Sequence, residues 1–284
     1  MWAEFKHTLH RLRGQAIGWS VGIGIYGLLM AFFYPSMVGM GDLTEEFIAM
    51  FPEAIFAFFE SIHIIGTPMG YLDVYYFSYL HLVIGILAVS AGAGLLAGDE
   101  ERGILDLLLA HPVSRTGFFF GRLLALIAAL VLVLMVSWLT WVLPAGKVGL
   151  ELTPLEILLP FLPLLAVLLL FAAIALLLSM VLPAARSAGM VTGALLVGNY
   201  LLLGLSNIDE RLEMVSSYTP LYYYQGGVAV EGLDGGWLAG LLVAFLLATA
   251  GAWFLFLRRE IRVGGERSWN LPHLPGRADR DLHR

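Results

Sequence analysis

Cysteine is absent from the 284-residue chain. That excludes disulfides, thiolate metal sites and a cysteine nucleophile. Charge is scarce: Asp, Glu, Lys and Arg make up 13% of the residues, about half the ~25% of an ordinary soluble domain. No phosphate loop of the form G-x-x-x-x-G-K-[ST] occurs. Gly146 and Lys147 are followed by Val148, so these residues do not hydrolyse ATP by themselves. Nucleophile-elbow and zincin motifs are missing too. His7 and His10 stand three apart with no third ligand in evidence, so no metal site is assigned and a solvated face is the plainer reading. His63 and Glu60 share one helical face and are assigned nothing.

What the chain has in excess is apolar surface, with 59% of residues in the hydrophobic class. One soluble core cannot hide so much, and lipid is the natural solvent for the rest. Six windows contain no Asp, Glu, Lys or Arg: 14–41, 74–98, 123–146, 157–185, 187–208 and 235–257. Each suffices for the roughly 20 residues that cross a hydrocarbon core. The expectation is an all-α integral membrane protein with spans near 16–34, 77–97, 123–143, 156–182, 188–205 and 237–257. None shows the alternation of a barrel strand. The first run is longer than a signal h-region and no small-x-small cleavage site follows, so it reads as a retained signal anchor.

Lys and Arg sort by side. Fourteen fall on one side, from Lys6, Arg11 and Arg13 through Arg102, Arg115, Arg122 and Arg186 to the tail beyond Arg258; only Lys147 and Arg211 fall on the other. The positive-inside rule then makes both termini cytoplasmic. This divides the chain into a basic surface helix at 1–15, a six-span domain at 16–257 and a cytoplasmic tail at 258–284. Within the domain lie an external loop at 35–76, a cytoplasmic segment at 98–122 and an external re-entrant segment at 206–236. Thr44 followed by Glu45 and Glu46 reads as a helix start, and 47–65 reads as lying along the membrane surface. The uncharged stretch 214–230, broken by Pro220, Gly226 and Gly227, is too short to span and reads as re-entrant or interfacial.

The cytoplasmic segment is the most specific feature. Asp99, Glu100 and Glu101 read as the acidic opening turn of a helix. Ile104, Leu105, Leu108 and Leu109 follow at helical spacing as one apolar stripe. Pro112 ends it, and Ser114 caps the next helix. An amphipathic helix over 99–110 fits a protein groove better than an anionic leaflet, because its leading turn is acidic.

Here the chain resembles the ABC-2-type permeases, the membrane subunits of ABC exporters. The matching residues are Glu100 or Glu101, Gly103, Leu105, Leu107 and Leu108, then Pro112, Val113, Ser114 and Arg115. Ile104 stands where many relatives have Thr, and Asp106 where many have Glu. The resemblance implies a type V exporter-like permease fold in the cell membrane, with a cytoplasmic coupling helix and a broken external segment before the last span. It assigns coupling to Asp99, Glu100, Glu101, Arg102, Gly103, Leu105, Leu108, Leu109, Pro112, Ser114 and Arg115. It implies two copies of a separate ABC ATPase chain carrying ATP and Mg, and a second permease chain, identical or related. This chain is expected to hold no cofactor, and its environment is lipid rather than nucleic acid.

The candidate substrate path is His81 and Asn199, polar groups deep in spans two and five, with Tyr222, Tyr223 and Tyr224. The competing readings are interhelical hydrogen bonds for the first pair and interface anchoring for the tyrosines. Gly18–Gly22, Gly94–Gly98, Gly189–Gly193 and Gly236–Gly240 are small-xxx-small pairs that mark close packing, and at most a dimer face. A secondary transporter or channel is the alternative function, but charge-free spans argue against proton coupling. An intramembrane enzyme is the third, and His81 without an acidic partner is a poor start for one.

Overall fold

The computed structural model describes residues 1–38, 56–103 and 114–258. Regular structure among them is entirely helical. Six helical stretches are long and apolar enough to cross a membrane. Their main helices are α1 (Trp2–Val38), α2 (Ser78–Glu101), α3 (Arg115–Val142), α4 (Phe161–Val181), α5 (Ala185–Ser206) and α6 (Gly235–Arg258). The first residues, the end of α2, the start of α3, the α4–α5 turn and the end of α6 gather at one end of the bundle, called here the basic end. The opposite end is called the far end.

α1 is one unbroken helix of 37 residues, about 55 Å long at 1.5 Å per residue. That exceeds the roughly 30 Å of a hydrocarbon core. The basic stretch expected as a separate surface helix is thus the first third of the same rod. Gly14 is the one weak point there, and a single glycine costs a helix only about 1 kcal/mol. Similarly, the second span begins well before residue 77. Pro68–Leu72 and a π-turn at Asp73–Phe77 lead directly into α2. Thr153 starts the fourth span through a capping box with Glu156. Pro154–Leu158 then precedes α4.

α4 is the centre of the bundle, packed against α2, α6, α5 and α3, while α1 runs along α3. The remaining surface explains the composition. α1 exposes Ile17, Val21, Ile25, Leu29, Phe32 and Phe33, α5 exposes Met190, Leu195 and Leu201, and α6 exposes Val243, Leu246 and Leu247. An apolar belt of that extent needs lipid tails or another apolar surface against it.

In lipid, helices associate through close packing rather than the hydrophobic effect. Of the i,i+4 pairs noted in the sequence, Gly189 does face another helix, at Ala93 of α2, but most of the others do not. Gly18, Gly22, Gly94, Gly98, Gly193 and Gly240 would each accept a Cβ into open space. Gly92 faces the Ala172 carbonyl of α4, Gly85 faces Leu196 of α5, and Gly27 faces Thr140 of α3. Gly92→Val is therefore expected to push α2 off α4 and destabilise the protein by about 1–3 kcal/mol, the usual cost of overpacking. Gly94→Val, on the same helix, should be nearly neutral. Thermal unfolding of the two variants in the same detergent reads the difference, and equal stability would contradict the α2–α4 contact.

Candidate functional site

At the basic end, three helices meet on a buried ion cluster. Asp99 sits in the last turn of α2, where a carboxylate opposes the helix dipole. Two arginines offset this. Asp99 Oδ1 accepts from Arg11 Nη1 of α1 at 2.7 Å, and Asp99 Oδ2 meets Arg122 Nη1 of α3 at 2.5 Å. Arg122 also donates to the Leu95 carbonyl at 2.8 Å, lies 4.0 Å from the centre of the Phe118 ring and faces Glu4 at 3.6 Å. Asp99 and Arg122 both have 0% of their surface exposed.

The sequence suggested that Asp99, Glu100 and Glu101 open a new helix. Instead they close α2. Arg102 is its C-cap and Gly103, at φ +68°, turns the chain away while its N–H donates to the Glu100 carbonyl. A glycine in the left-handed region is the usual way to leave a helix. Asp99 therefore faces its own bundle, not a partner. Glu101 accepts from the Ala185 amide at the start of α5 at 2.6 Å. Arg102 is exposed. On the return, Ser114 caps α3 by accepting from the Gly117 amide at 3.1 Å, and Arg115 donates to the Leu257 carbonyl at the end of α6 at 3.3 Å. Leu105, Leu108, Leu109 and Pro112 lie outside the described residues. Both ends of the segment they belong to are thus tied, between them, to α1, α3, α5 and α6.

At the far end, the segment between α5 and α6 folds as short helical turns, among them Pro220–Tyr223 and Gly226–Val230. Asp73 holds it down. Its Oδ1 accepts from the Gly227 amide at 2.7 Å and its Oδ2 from the Ser61 hydroxyl at 2.7 Å. Gly227 packs so closely on Asp73 that a Cβ there would lie 2.6 Å from the Asp73 Cα. Tyr224 donates to the Phe77 carbonyl at 3.0 Å. Beneath this lid is a cavity of about 620 Å³.

The cavity sorts the predicted path residues. His81 lines it, 2% exposed, with rings of Tyr224 and Tyr200 at 5.0 and 5.5 Å. Neither imidazole nitrogen has a well-formed hydrogen bond; the backbone group that interacts with the ring is the Phe77 carbonyl, one turn back. Tyr222 and Tyr224 also line the cavity. Tyr223 does not: it donates to the Ser217 carbonyl at 2.9 Å and packs on Trp237. Nor does Asn199, whose amide bonds the Leu195 carbonyl of its own helix at 2.9 Å. The neighbouring Tyr200 takes that place. Sequence reasoning missed Tyr200, Asp73 and Trp237. For Asp73 a signal existed, an acid directly abutting the charge-free window that begins at 74.

The family model described as ABC-2 family transporter protein matches residues 25–260. The chain belongs to that family. No curated protein matches it. As an ABC-2 permease it is a membrane transport subunit and not itself an enzyme, and permeases of this family generally work with an ABC ATPase.

The ion cluster gives the permease a testable weak point. Removing one member of a buried pair leaves the other charge stranded, at about 3–5 kcal/mol, whereas replacing both by apolar groups is often neutral. Asp99→Leu and Arg122→Met should each lower thermal stability sharply in detergent, and the double variant should recover most of the loss. Additive losses would show that the two side chains act separately.

Proposed function

We propose that this permease serves an ATP-driven exporter, with 99–115 as the segment through which a separate ATPase acts. The observation that carries this reading is the mechanical connection of that segment. Its entry holds α1 and α3 through Asp99 and α5 through Glu101, and its exit holds α6 through Arg115. A push on 104–113 has only short, polar and partly buried links to cross before it reaches four spans. The charge distribution supports the orientation: basic end and both termini in the cytoplasm, far end outside, in the cell membrane.

Two permease chains pair, and two ATPase chains carrying ATP and Mg bind beneath them. ATP closes the ATPase dimer. Each coupling segment is displaced, and the spans exchange between two packings as rigid bodies. Leu105, Leu108 and Leu109 supply the apolar contact with the ATPase groove. Exposed Arg102 is available for a polar contact with the groove. Asp99 acts on the inside, positioning the segment. Cargo passes along the cavity under the far-end lid, past His81, Tyr200, Tyr222 and Tyr224. The remaining apolar belt meets lipid and the paired permease.

Fully burying one Leu side chain is worth roughly 1.5–3 kcal/mol. Replacing Leu105 and Leu108 together with Asp removes that contribution twice and brings charge to the contact. The spans should still insert, while the ATPase no longer copurifies and transport stops. Intact assembly and transport in this double variant would overturn the coupling assignment.

A further inference from the structure

The far-end cavity has a chemical bias that the permease reading does not require. Two carboxylates border it, Asp73 and Glu213, and none of the described lining residues is Lys or Arg. Its walls include the rings of Tyr200, Tyr224 and Trp237. Aromatic faces carry negative potential and attract cations, most strongly when both are withdrawn from water. The volume of about 620 Å³ lies within the roughly 300–1,000 Å³ of small-molecule sites.

His81 supplies an independent sign that a ligand belongs there. It is 2% exposed and lines the cavity, with no well-formed hydrogen bond at either ring nitrogen. Buried polar atoms in native proteins are nearly always satisfied. Tyr224 and Tyr200 flank the ring, but the Tyr224 hydroxyl is already given to the Phe77 carbonyl. A neutral imidazole keeps one nitrogen as an acceptor. A group that brings its own N–H and positive charge would satisfy that nitrogen, meet the ring faces and sit in the negative field of Asp73 and Glu213.

We infer that the cavity beneath the far-end lid receives the ammonium group of an amine-bearing organic cation, with His81 as hydrogen-bond acceptor and the tyrosine and tryptophan faces around the charge. The inference deepens the proposed function, since it names the cargo class of that same path. A soluble alkylamine and the amine headgroup of a lipid share this chemistry.

The test uses the full-length permease in phosphatidylcholine nanodiscs and three dansyl probes of similar size. These are dansylcadaverine, which carries an ammonium, the neutral N-pentyl dansylamide, and the anionic dansyl-6-aminohexanoate. Fluorescence titration should show the cation binding at least roughly tenfold more tightly than the other two, as a desolvated cation–π site allows. His81→Phe, which keeps an aromatic ring between Tyr200 and Tyr224, should abolish that preference. Glu213→Gln, on the exposed rim, should weaken it without affecting folding. Unchanged gel-filtration profiles establish that both variants are folded. Phosphatidylethanolamine added to the discs should compete if a lipid amine is the natural occupant, and leave binding unchanged if the amine is soluble; either result keeps the class. Equal binding of the three probes, tighter binding of the anion, or full selectivity in His81→Phe would each overturn the site. Because no step reads ATP hydrolysis or ATPase assembly, failure here leaves the coupling proposal standing on its own experiment.

Discussion

Asp99 and Arg122 have no exposed surface between them, and neither charge is tolerable at the edge of an apolar bundle without the other. This pair constrains much else at the basic end. Arg122 must lie beside the last turn of α2, which fixes the height of α3. Asp99 has a second oxygen to satisfy, and Arg11 does so from α1, which fixes how far that long helix projects. A short link then joins Glu101 to α5. Such a pair contributes little net stability over an apolar replacement, but it permits few alternative registers. It lies immediately before 104–113, the segment proposed to couple to the ATPase.

The far end is built on a different balance. There one carboxylate, Asp73, organises a lid from backbone amide and hydroxyl donors rather than from opposite charge. Asp73 to Gly227 and Tyr224 to Phe77 tie the lid to the bundle, and Gln225 bonds Gly232 and Asp234 within it. Its apolar side chains are also packed down: Leu221, Ala229 and Val230 are buried against the bundle. The core beneath it, centred on α4, is densely packed. That core lies between the ion cluster at one end and the cap held by Asp73 at the other.

Much of this architecture was legible in the sequence because lipid is a strict solvent. Charge-free windows gave six spans, and the Pro- and Gly-broken stretch 214–230 does not form a long helix but short helical turns. Side-chain roles were less legible. Asp99 looked like a helix opener because its partners, Arg11 and Arg122, are remote in sequence, and no local pattern announces them. Asn199 stood out in the sequence by its polarity, yet one residue turns a helix by about 100°, and it is the neighbouring Tyr200 that lines the cavity. Most of the paired glycines, Gly189 apart, misled for a similar reason. Spacing marks a flat helix face, but whether another helix lies against it is a tertiary fact, and Gly92 rather than Gly94 meets α4.

Since the chain has no native cysteine, spin labels attach only where cysteines are introduced. Leu143, at the far end of α3, and Tyr218, on the lid, are 72% and 87% exposed and suit labels. The most direct measurement is the electron-spin distance between them in the permease–ATPase complex, with and without ATP, in native and Asp99→Asn protein. Transmission through the ion cluster predicts a distance that changes on ATP binding in the native protein and stays fixed in Asp99→Asn, with the ATPase still bound. The same ATP-driven change in both proteins would show that the displacement reaches the far end by another route.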